Sequence, residues 1–556
     1  MLLKYRIAEL ITESVKDAQL KEVLPQGPIP EVVVERPQNP EHGDFATSLP
    51  LRLARSARMS PMAIAESLVH LIAAEDPLEH VWVASPGFIN FSINPLWLQQ
   101  QVENIIGEGG HYASQDIGKG KRVQVEFVSV NPTGPIHVGH ARGAVLGSAL
   151  ANVLEASGFE VSREYYINDA GSQIDAFART LYVRYLQALG REAEVSSDGY
   201  LGAYMEELAL EVVKEEGERF LELSEPQAVE RLREIGLRKM IQAIRDDLDR
   251  IQVIFDVWFS EQELFDSGDY DAVMANLGKG AYLVQREGAT WFSSTSLGED
   301  KDNVLVRSSG APTYFASDVA YHYNKFVKRS YDWVIDIWGA DHQGHVSRMK
   351  AVLSALGVDP TRLTIILSQL VTLKRGKEVI RVSKRTGELI TLKELQEEVG
   401  ADACRFFFLS RSPDSQMDFD MELAKKTSDD NPVYYVQYAH ARIAGILRLA
   451  KERGLDFTKG DTSLLTHKAE LALIRNLLLL PEVIEGVSET LEPHHLPRYT
   501  TELASDFHWF YQQCRVISGN AEDEQVTLAR LKLVEASRVV LARCLTLMDM
   551  SAPDRM

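Results

Sequence analysis

The chain has 556 residues, of which 45% are hydrophobic and 25% charged, and a net charge of −21. This is the mixture of an ordinary soluble globular protein, and it is too long for one compact core, so about three or four units are expected. The acidity excludes a protein that coats nucleic acid indiscriminately, while leaving room for local basic grooves. No apolar run is long enough to span a bilayer, so no membrane association is expected. Cys404, Cys514 and Cys544 are widely spaced and fit neither a disulfide framework nor a zinc knuckle. A cytoplasmic location follows as the simplest expectation.

The first unit is expected over residues 1–115. MLLKYRIAELITESVK reads as an amphipathic helix and not as a signal peptide, because Lys4, Arg6 and Glu9 interrupt its apolar residues. The turn-rich RPQNPEHGDFAT follows, and PGFINFSI alternates as a strand does after a Pro-Gly turn. A linker falls near GHYASQDIGKGKR.

From Val123 the pattern changes. VQVEFVSV reads as a buried parallel strand, NPTGP cannot be regular structure, and HVGHARGAVLGSALANVLEASG reads as a helix stopped at Gly158. FEVSREYYI is the next strand. The βαβ unit so formed has its loop at the strand's carboxyl end, where open α/β sheets bind ligands. Residues from about 175 to 300 read as a charged, mostly helical insertion. The α/β pattern resumes with the strand YDWVIDIW, the turn GADHQGH, the helix VSRMKAVLSALG and the strand RLTIILSQL. From about 395 onward amphipathic helices of bundle type follow one another. The expected organisation is therefore an α+β unit at 1–115, an α/β parallel-sheet unit at 116–395 carrying the insertion, and an all-α unit at 396–556.

Two segments carry chemistry. In VNPTGPIHVGHARG, residues 130–143, His137 and His140 stand three apart at the mouth of a helix directly after a strand. That spacing puts both imidazoles on one face of the first turn, where backbone N–H groups and the helix dipole favour phosphate. Gly134 and Gly139 allow close approach of a ligand to the backbone, and Asn131 and Thr133 add polar side chains. An arbitrary H-x-x-H is more often a structural pair, and a metalloprotease zinc helix would need glutamate where Val138 stands. The strand–turn–helix setting shifts the balance toward a nucleoside triphosphate. The second segment is TLKRGKEVIRVSKRTGE, residues 372–388, where Lys374, Arg375, Lys377, Arg381, Lys384 and Arg385 face one internal acid, Glu378. Such runs are commonly solvated basic turns. In an acidic chain, directly after the last strand of the split sheet, a lysine here could instead hold departing pyrophosphate. No P-loop and no dinucleotide fingerprint is present.

These residues carry a resemblance. HVGH at 137–140 resembles the HIGH motif of class I aminoacyl-tRNA synthetases, and RVSKR at 381–385 resembles their KMSKS motif, with Lys384 at the second lysine. The latter departs from the pattern at Arg381, Val382 and Arg385, which bears on loop behaviour more than on activity. VEFVSVNPTGPIHVGHARGAVLG, PTYFASDVAYH at 312–322, WGADHQGHVSRMKAVL at 338–353, NPVYYVQYAHARI at 431–443, the terminal ASRVVLARCLTLMDMSAPDRM and NPEHGDFAT at 39–47 are similar to arginyl-tRNA synthetases in particular.

The resemblance covers nearly the whole chain. It implies a Rossmann-type catalytic domain, an N-terminal tRNA-contacting domain and a helical anticodon-binding domain. It also implies an ATP-dependent, AMP-forming ligase whose partners are arginine, ATP and the arginine tRNA, usually a monomer. Mg²⁺ is expected with ATP, and no protein-bound metal or zinc site is expected. His137, His140 and Lys384 are the implied catalytic residues, and Gly134, Gly139, His342, Gln343 and Ser383 complete the ATP site. A guanidinium substrate calls for carboxylates. Glu126 is a buried acid on an apolar strand whose partner could be arginine, and Asp318, one helical turn after Tyr314, joins it together with Asn131. Without the resemblance Glu126 reads as a strand-edge acid. Tyr434, Tyr435 and Tyr438 are candidates to stack on anticodon bases or, equally, to fill a helix interface. Asn39 and Phe45 are implied contacts to the tRNA elbow. The alternatives are another class I synthetase, a catalytically silent tRNA-binding relative, and a general nucleotidyltransferase, which would not need the long helical domain.

Overall fold

The computed structural model describes residues 2–72, 77–380 and 389–556. The N-terminal unit contains helix α1 (Leu3–Leu20), strand β1 (Phe45–Thr47), helices α2 (Leu49–Ala57) and α3 (Pro61–Val69), strands β2 (Leu78–Ala84) and β3 (Phe88–Ile93), and helix α4 (Pro95–Glu108). The strands form an antiparallel sheet in the order β1-β3-β2. Helix α1 buries Ile7, Ile11, Val15 and Ala18, the three- and four-residue spacing of one helix face. Phe45 and Phe91, cross-strand partners on β1 and β3, are fully buried.

The central unit opens with strand β4 (Arg122–Glu126), helix α5 (Val138–Ala156) and strand β5 (Glu160–Ile167). Three helices follow, α6 (Ser172–Ala188), α7 (Ala203–Glu216) and α8 (Glu225–Asp249), packed around a small core of their own that includes Phe177, Leu181, Tyr185 and Phe220. The chain then returns through strand β6 (Val257–Ser260) and helices α9 (Glu261–Asp266) and α10 (Asp269–Lys279). It continues into an antiparallel sheet of β7 (Leu283–Arg286), β8 (Ala289–Phe292) and β9 (Asn303–Val306). Helix α11 (Tyr314–Tyr323), a π-helical turn at Asn324–Lys328, strand β10 (Trp333–Gly339), a 3-10 turn at Ala340–His345, helix α12 (Val346–Ala355) and strand β11 (Leu363–Ser368) complete the unit. The insertion expected at 175–300 is therefore not helical throughout. It holds β6, which pairs with β5 in the main sheet, and β7 and β8, which form a second sheet with β9 just beyond it. These four-residue strands are too short for periodicity to reveal.

The main sheet is parallel, in the order β11-β10-β4-β5-β6. The chain fills one side of β4 and then the other, so its order reverses between β4 and β10, and a crevice opens beyond their carboxyl ends. The strand expected from VQVEFVSV stops at Glu126. Val128 and Ser129 adopt left-handed conformations, φ 71° and 43°, unfavourable for a β-branched residue, and they turn the chain into the crevice.

Strands β12 (Val371–Arg375) and β13 (Glu378–Ile380), helices α13 (Leu392–Val399) and α14 (Ala401–Leu409), strand β14 (Met417–Asp420) and helix α15 (Met421–Ala424) lead out of the central unit. The first half of the expected basic loop is thus a hairpin, with β12 also paired in parallel to β14. Lys374 is tied to Asp418 and Arg375 to Glu398. The bundle comprises α16 (Pro432–Glu452), α17 (Lys468–Leu477), α18 (Leu480–Thr490), α19 (His495–Gln513) and α20 (Glu524–Leu547). Among the described residues no helix is long and apolar enough to cross a membrane. All three cysteines are buried and free, and burial pushes the Cys404 and Cys544 thiols up to about 12. Arg405 knits the units together: its buried guanidinium reaches Ser148 on α5, the Ile251 carbonyl after α8, and Met548 and Asp549 after α20.

Candidate active site

A cleft of about 1110 Å³ opens at the carboxyl ends of β4 and β10, more room than the roughly 300–1,000 Å³ of a single small-ligand site. Its walls come from the loop after β4, the start of α5, the end of β5, α11, the turn after β10, and the segments on either side of β12 and β13.

The β4–α5 loop is held at several points. Ser129 Oγ donates to Glu126 at 2.9 Å and accepts from the Tyr166 amide. The Tyr165 and Tyr204 hydroxyls donate to the carbonyls of Val130 and Thr133. The Val138 amide donates to Ile390, and the Leu392 amide donates to Ile136. These last two bonds fasten residues 390–392 onto the histidine loop. His137 occupies the N-cap position of α5 and His140 its first turn, with ring centroids 3.8 Å apart. Burial lowers His137 and, with His137 beside it, lowers His140 to about 4. Both rings are neutral near pH 7, and each carries a single N–H to donate. The buried His140 Nδ1 has no partner among the described residues. Gly134 and Gly139 line the cleft, and a Cβ at Gly139 would lie 3.1 Å from the His137 ring.

Behind the loop lies a polar row that the sequence reading missed. Asp336 on β10, Glu126 on β4 and Glu164 on β5 stand side by side in register. Opposite them, α11, its π turn and the residue after it supply His322, Lys325 and Arg329. Lys325, fully buried, donates to Glu126 at 2.5 Å and to Asp336 at 2.9 Å. Arg329 grips Glu164 with two N–H groups. His322 Nδ1 meets the Asp318 carbonyl at 2.8 Å and Nε2 meets Asp336 at 2.9 Å. A carbonyl only accepts, so Nδ1 carries a proton. Burial opposes ionisation of Asp336, but Lys325 and His322 outweigh it and hold that carboxyl at about 2. Glu126, in contrast, is raised by burial despite Lys325. It lines the cleft, yet it is neither solvent-facing nor unpaired: Lys325 and Ser129 already occupy its two oxygens. The signal was an acid at the same level of three neighbouring strands, legible only once the strands are aligned.

The remaining residues fall into place unevenly. Asn131, Tyr314 and Asp318 line the cleft, Asn131 bonded to Gln173 and Tyr314 45% exposed. Burial raises the Asp318 carboxyl. His342 lines the cleft, as does His345, which was not anticipated. Gln343 does not: it is exposed and outside the lining, because at three residues per turn His342 and His345 share one side of the 3-10 helix and Gln343 falls off it. Ser383 and Lys384 lie outside the described residues, although Ser368, Gln369 and Leu370 before their segment and Leu389 and Thr391 after it all line the cleft. Phe45 is fully buried with Arg36 over its ring, so it has no face to offer a tRNA; alternation along β1 turns it inward. Asn39 is exposed, and its carboxamide accepts from the Glu41 amide. Tyr434 and Tyr438 stack on each other, Arg442 lies over Tyr438, and Tyr435 packs on His508; all three tyrosines are half-buried. Among the described residues, one trio of possible metal ligands, Glu492, His494 and His495, gathers at the start of α19. None of the three lines the cleft.

A parallel sheet of this order, with a neutral histidine pair at its switch point and a helical bundle appended, is the architecture of a class I aminoacyl-tRNA synthetase. The family described as tRNA synthetases class I (R), catalytic domain, matches residues 101–420. The arginyl tRNA synthetase N terminal domain matches 5–93, and the DALR anticodon binding domain matches 436–556. The chain is 57% identical over 554 residues to an arginine–tRNA ligase of Dehalococcoides mccartyi, covering 99% of each chain. It is 48% identical to that of Heliobacterium modesticaldum, covering 100% of this chain and 99% of the relative. A solved structure of a putative arginyl-tRNA synthetase from Campylobacter jejuni superposes with a TM-score of 0.76 at 31% identity, covering 84% of this chain and all of the other. The Thermus thermophilus arginyl-tRNA synthetase, at 22% identity and a TM-score of 0.77, shares the fold over the full length of both chains. The chain belongs to the arginyl-tRNA synthetase family.

Proposed function

We infer that the protein is an arginine–tRNA ligase. It activates L-arginine with ATP and passes the arginyl group to the terminal ribose of its tRNA. The observation that carries this reading is one cleft joining a phosphate-binding corner, His137 and His140 at the mouth of α5, to the carboxylate of Asp318. An arginine carboxylate oxygen attacks the α-phosphorus of ATP, the bond to the bridging oxygen breaks, and pyrophosphate leaves. A ribose hydroxyl then attacks the carbonyl carbon of the adenylate, gives up its proton, and AMP departs.

Within that reading, the single N–H of each neutral imidazole meets phosphate oxygens as charge builds on them, and their low charge leaves ATP free to bring its own cation. Gly134 and Gly139 let the triphosphate approach the backbone, and His342 faces the adenosine. Ser383 and Lys384 serve the departing pyrophosphate, supported by the two cleft-lining segments that flank them. Asn131, Tyr314 and Asp318 hold arginine, and Glu126 shapes the floor of its pocket. Mg²⁺ accompanies ATP as counter-ion, and displacement at phosphorus followed by acyl transfer needs no zinc. The tRNA contacts are Asn39 and the Tyr434–Tyr438 pair, with Tyr435 serving as packing. Domains at 1–115, 116–395 and 396–556, a monomeric state and a cytoplasmic location complete the reading.

The test is radiolabelled pyrophosphate exchange into ATP, with each amino acid in turn and with or without tRNA. Exchange with arginine plus tRNA alone, lost in Lys384→Ala, is expected. Exchange with another amino acid would reassign the substrate. Its absence from folded protein would leave a tRNA-binding protein without catalysis.

A further inference from the structure

The NPTGP segment of the β4–α5 loop, residues 131–135, cannot hold its own shape. Pro132 and Pro135 have no amide N–H, and among the described residues no backbone–backbone hydrogen bond is formed between 130 and 135. Yet Thr133 is 7% exposed, and a carbonyl so placed needs a donor from within the protein. Regular structure supplies none, so the donor comes from a side chain elsewhere in the fold.

The helical insertion holds this segment at two points. Gln173, the second residue of α6, bonds the Asn131 side chain. Tyr204, the second residue of α7, donates its hydroxyl to the Thr133 carbonyl at 2.6 Å. The Tyr204 ring also lies over Gly134: a Cβ there would stand 3.3 Å from both Cζ and the hydroxyl oxygen, closer than ordinary van der Waals contact. The ring has little freedom to retreat. Its hydroxyl is bonded, and its body packs against the core that α6, α7 and α8 share, built around Phe177, Leu181, Met205 and Leu208. Close-packed interiors transmit displacement and do not absorb it, so Tyr204 moves with the insertion. Tyr204 is half-buried and lines the cleft together with Thr133 and Gly134.

We propose that Tyr204 is a positioning residue for ATP: its hydroxyl fixes the Thr133 carbonyl and its ring fixes the height of Gly134, so the helical insertion sets the shape of the phosphate corner. This role rests on the reading of the cleft as a triphosphate site, and it names a residue that neither motif contains. The hydroxyl is committed to a loop carbonyl, so Tyr204 acts through the loop. Without that bond the carbonyl is left unpaired, or the loop turns to find another donor, and either result carries Gly134 off the path of the triphosphate. A shift of the insertion is thereby a shift of the phosphate corner.

The experiment is arginine- and tRNA-dependent pyrophosphate exchange in the full-length enzyme, comparing wild type with Tyr204→Phe, Tyr204→Ala, Gly134→Ala and the double variant Gly134→Ala with Tyr204→Ala. Tyr204→Phe keeps the ring and removes only the donor. It should raise the ATP KM about fivefold to fiftyfold, the scale of one buried carbonyl left unpaired. Its kcat and arginine KM should stay within about twofold, as expected when binding of one substrate alone is weakened, and its thermal unfolding midpoint should not move. Gly134→Ala should raise the ATP KM as well, and that effect should shrink by at least about threefold once Tyr204 is alanine, the non-additivity of groups in contact. A normal ATP KM in Tyr204→Phe overturns the proposal. A lower kcat at normal ATP KM reduces Tyr204 to a structural role and overturns it too. Strict additivity in the double variant overturns the contact with Gly134. No exchange from folded wild-type enzyme overturns the reading of the cleft itself, and the proposal with it.

Discussion

Replacing Lys325 with methionine is the most demanding test of the polar row. The side chain is fully buried and is the shared partner of Glu126 and Asp336, at 2.5 and 2.9 Å. Methionine keeps most of its length and volume but leaves two buried carboxylates facing each other. Removing one partner of a buried ion pair costs about 3–5 kcal/mol, because the remaining charge is uncompensated. Part of that cost can be located by pH. Asp336, at about 2 against an ordinary 3.8, contributes roughly 2 kcal/mol of stability. A depressed carboxyl stabilises fully above its unfolded value and loses that contribution as pH falls through its folded one, here between about 4 and 2. In Lys325→Met the advantage should disappear, so the variant should gain relative to wild type as the solution is acidified through that window. The assay is urea unfolding at several pH values, following the transition of the central unit by tryptophan fluorescence, since Trp258 and Trp333 lie on its sheet. Adding Asp336→Asn to the methionine variant should restore at least about 1 kcal/mol, a non-additivity expected of groups in direct contact. A loss below about 1 kcal/mol at neutral pH, or simple additivity in the double variant, would refute the charge-balance argument.

Two further outcomes follow from the geometry. Phe45→Leu should lower stability by about 1 kcal/mol, through imperfect filling of a packed site, while leaving the tRNA KM within about twofold in aminoacylation assays; a raised tRNA KM at unchanged stability would return Phe45 to the tRNA surface. His140→Asn should reduce adenylate formation by about 10²–10³-fold, the scale of a lost donor to developing charge. Because burial holds His140 at about 4, the profile of kcat/KM for ATP should show no acid limb from this group between pH 6 and 8; an acid limb in that range that His140→Asn abolishes would contradict a neutral imidazole.

Local order was legible in the chain. The apolar run at β4, the helix of α5 with its stop at Gly158, and the alternation of β3 all follow from side-chain periodicity and from glycine's access to left-handed backbone, here φ +84° at Gly158. His137 and His140 could be placed together because they are three residues apart on one helix turn, so local geometry alone sets their distance. Short elements resisted: β6 is four residues long, and it is a strand because β5 pairs with it. The polar row also resisted, for the same reason in another form. Glu126, Glu164 and Asp336 come from three strands far apart in the chain, and nothing local marks any of them as a buried, paired acid. Nor could the sequence alone assign a partner to Glu126, since Lys325 lies 199 residues away. Sequence spacing sets what neighbours in the chain do to one another. Which charges are already compensated, and which are left for a substrate, depends on long-range pairing and burial, and those exist only once the sheet has assembled.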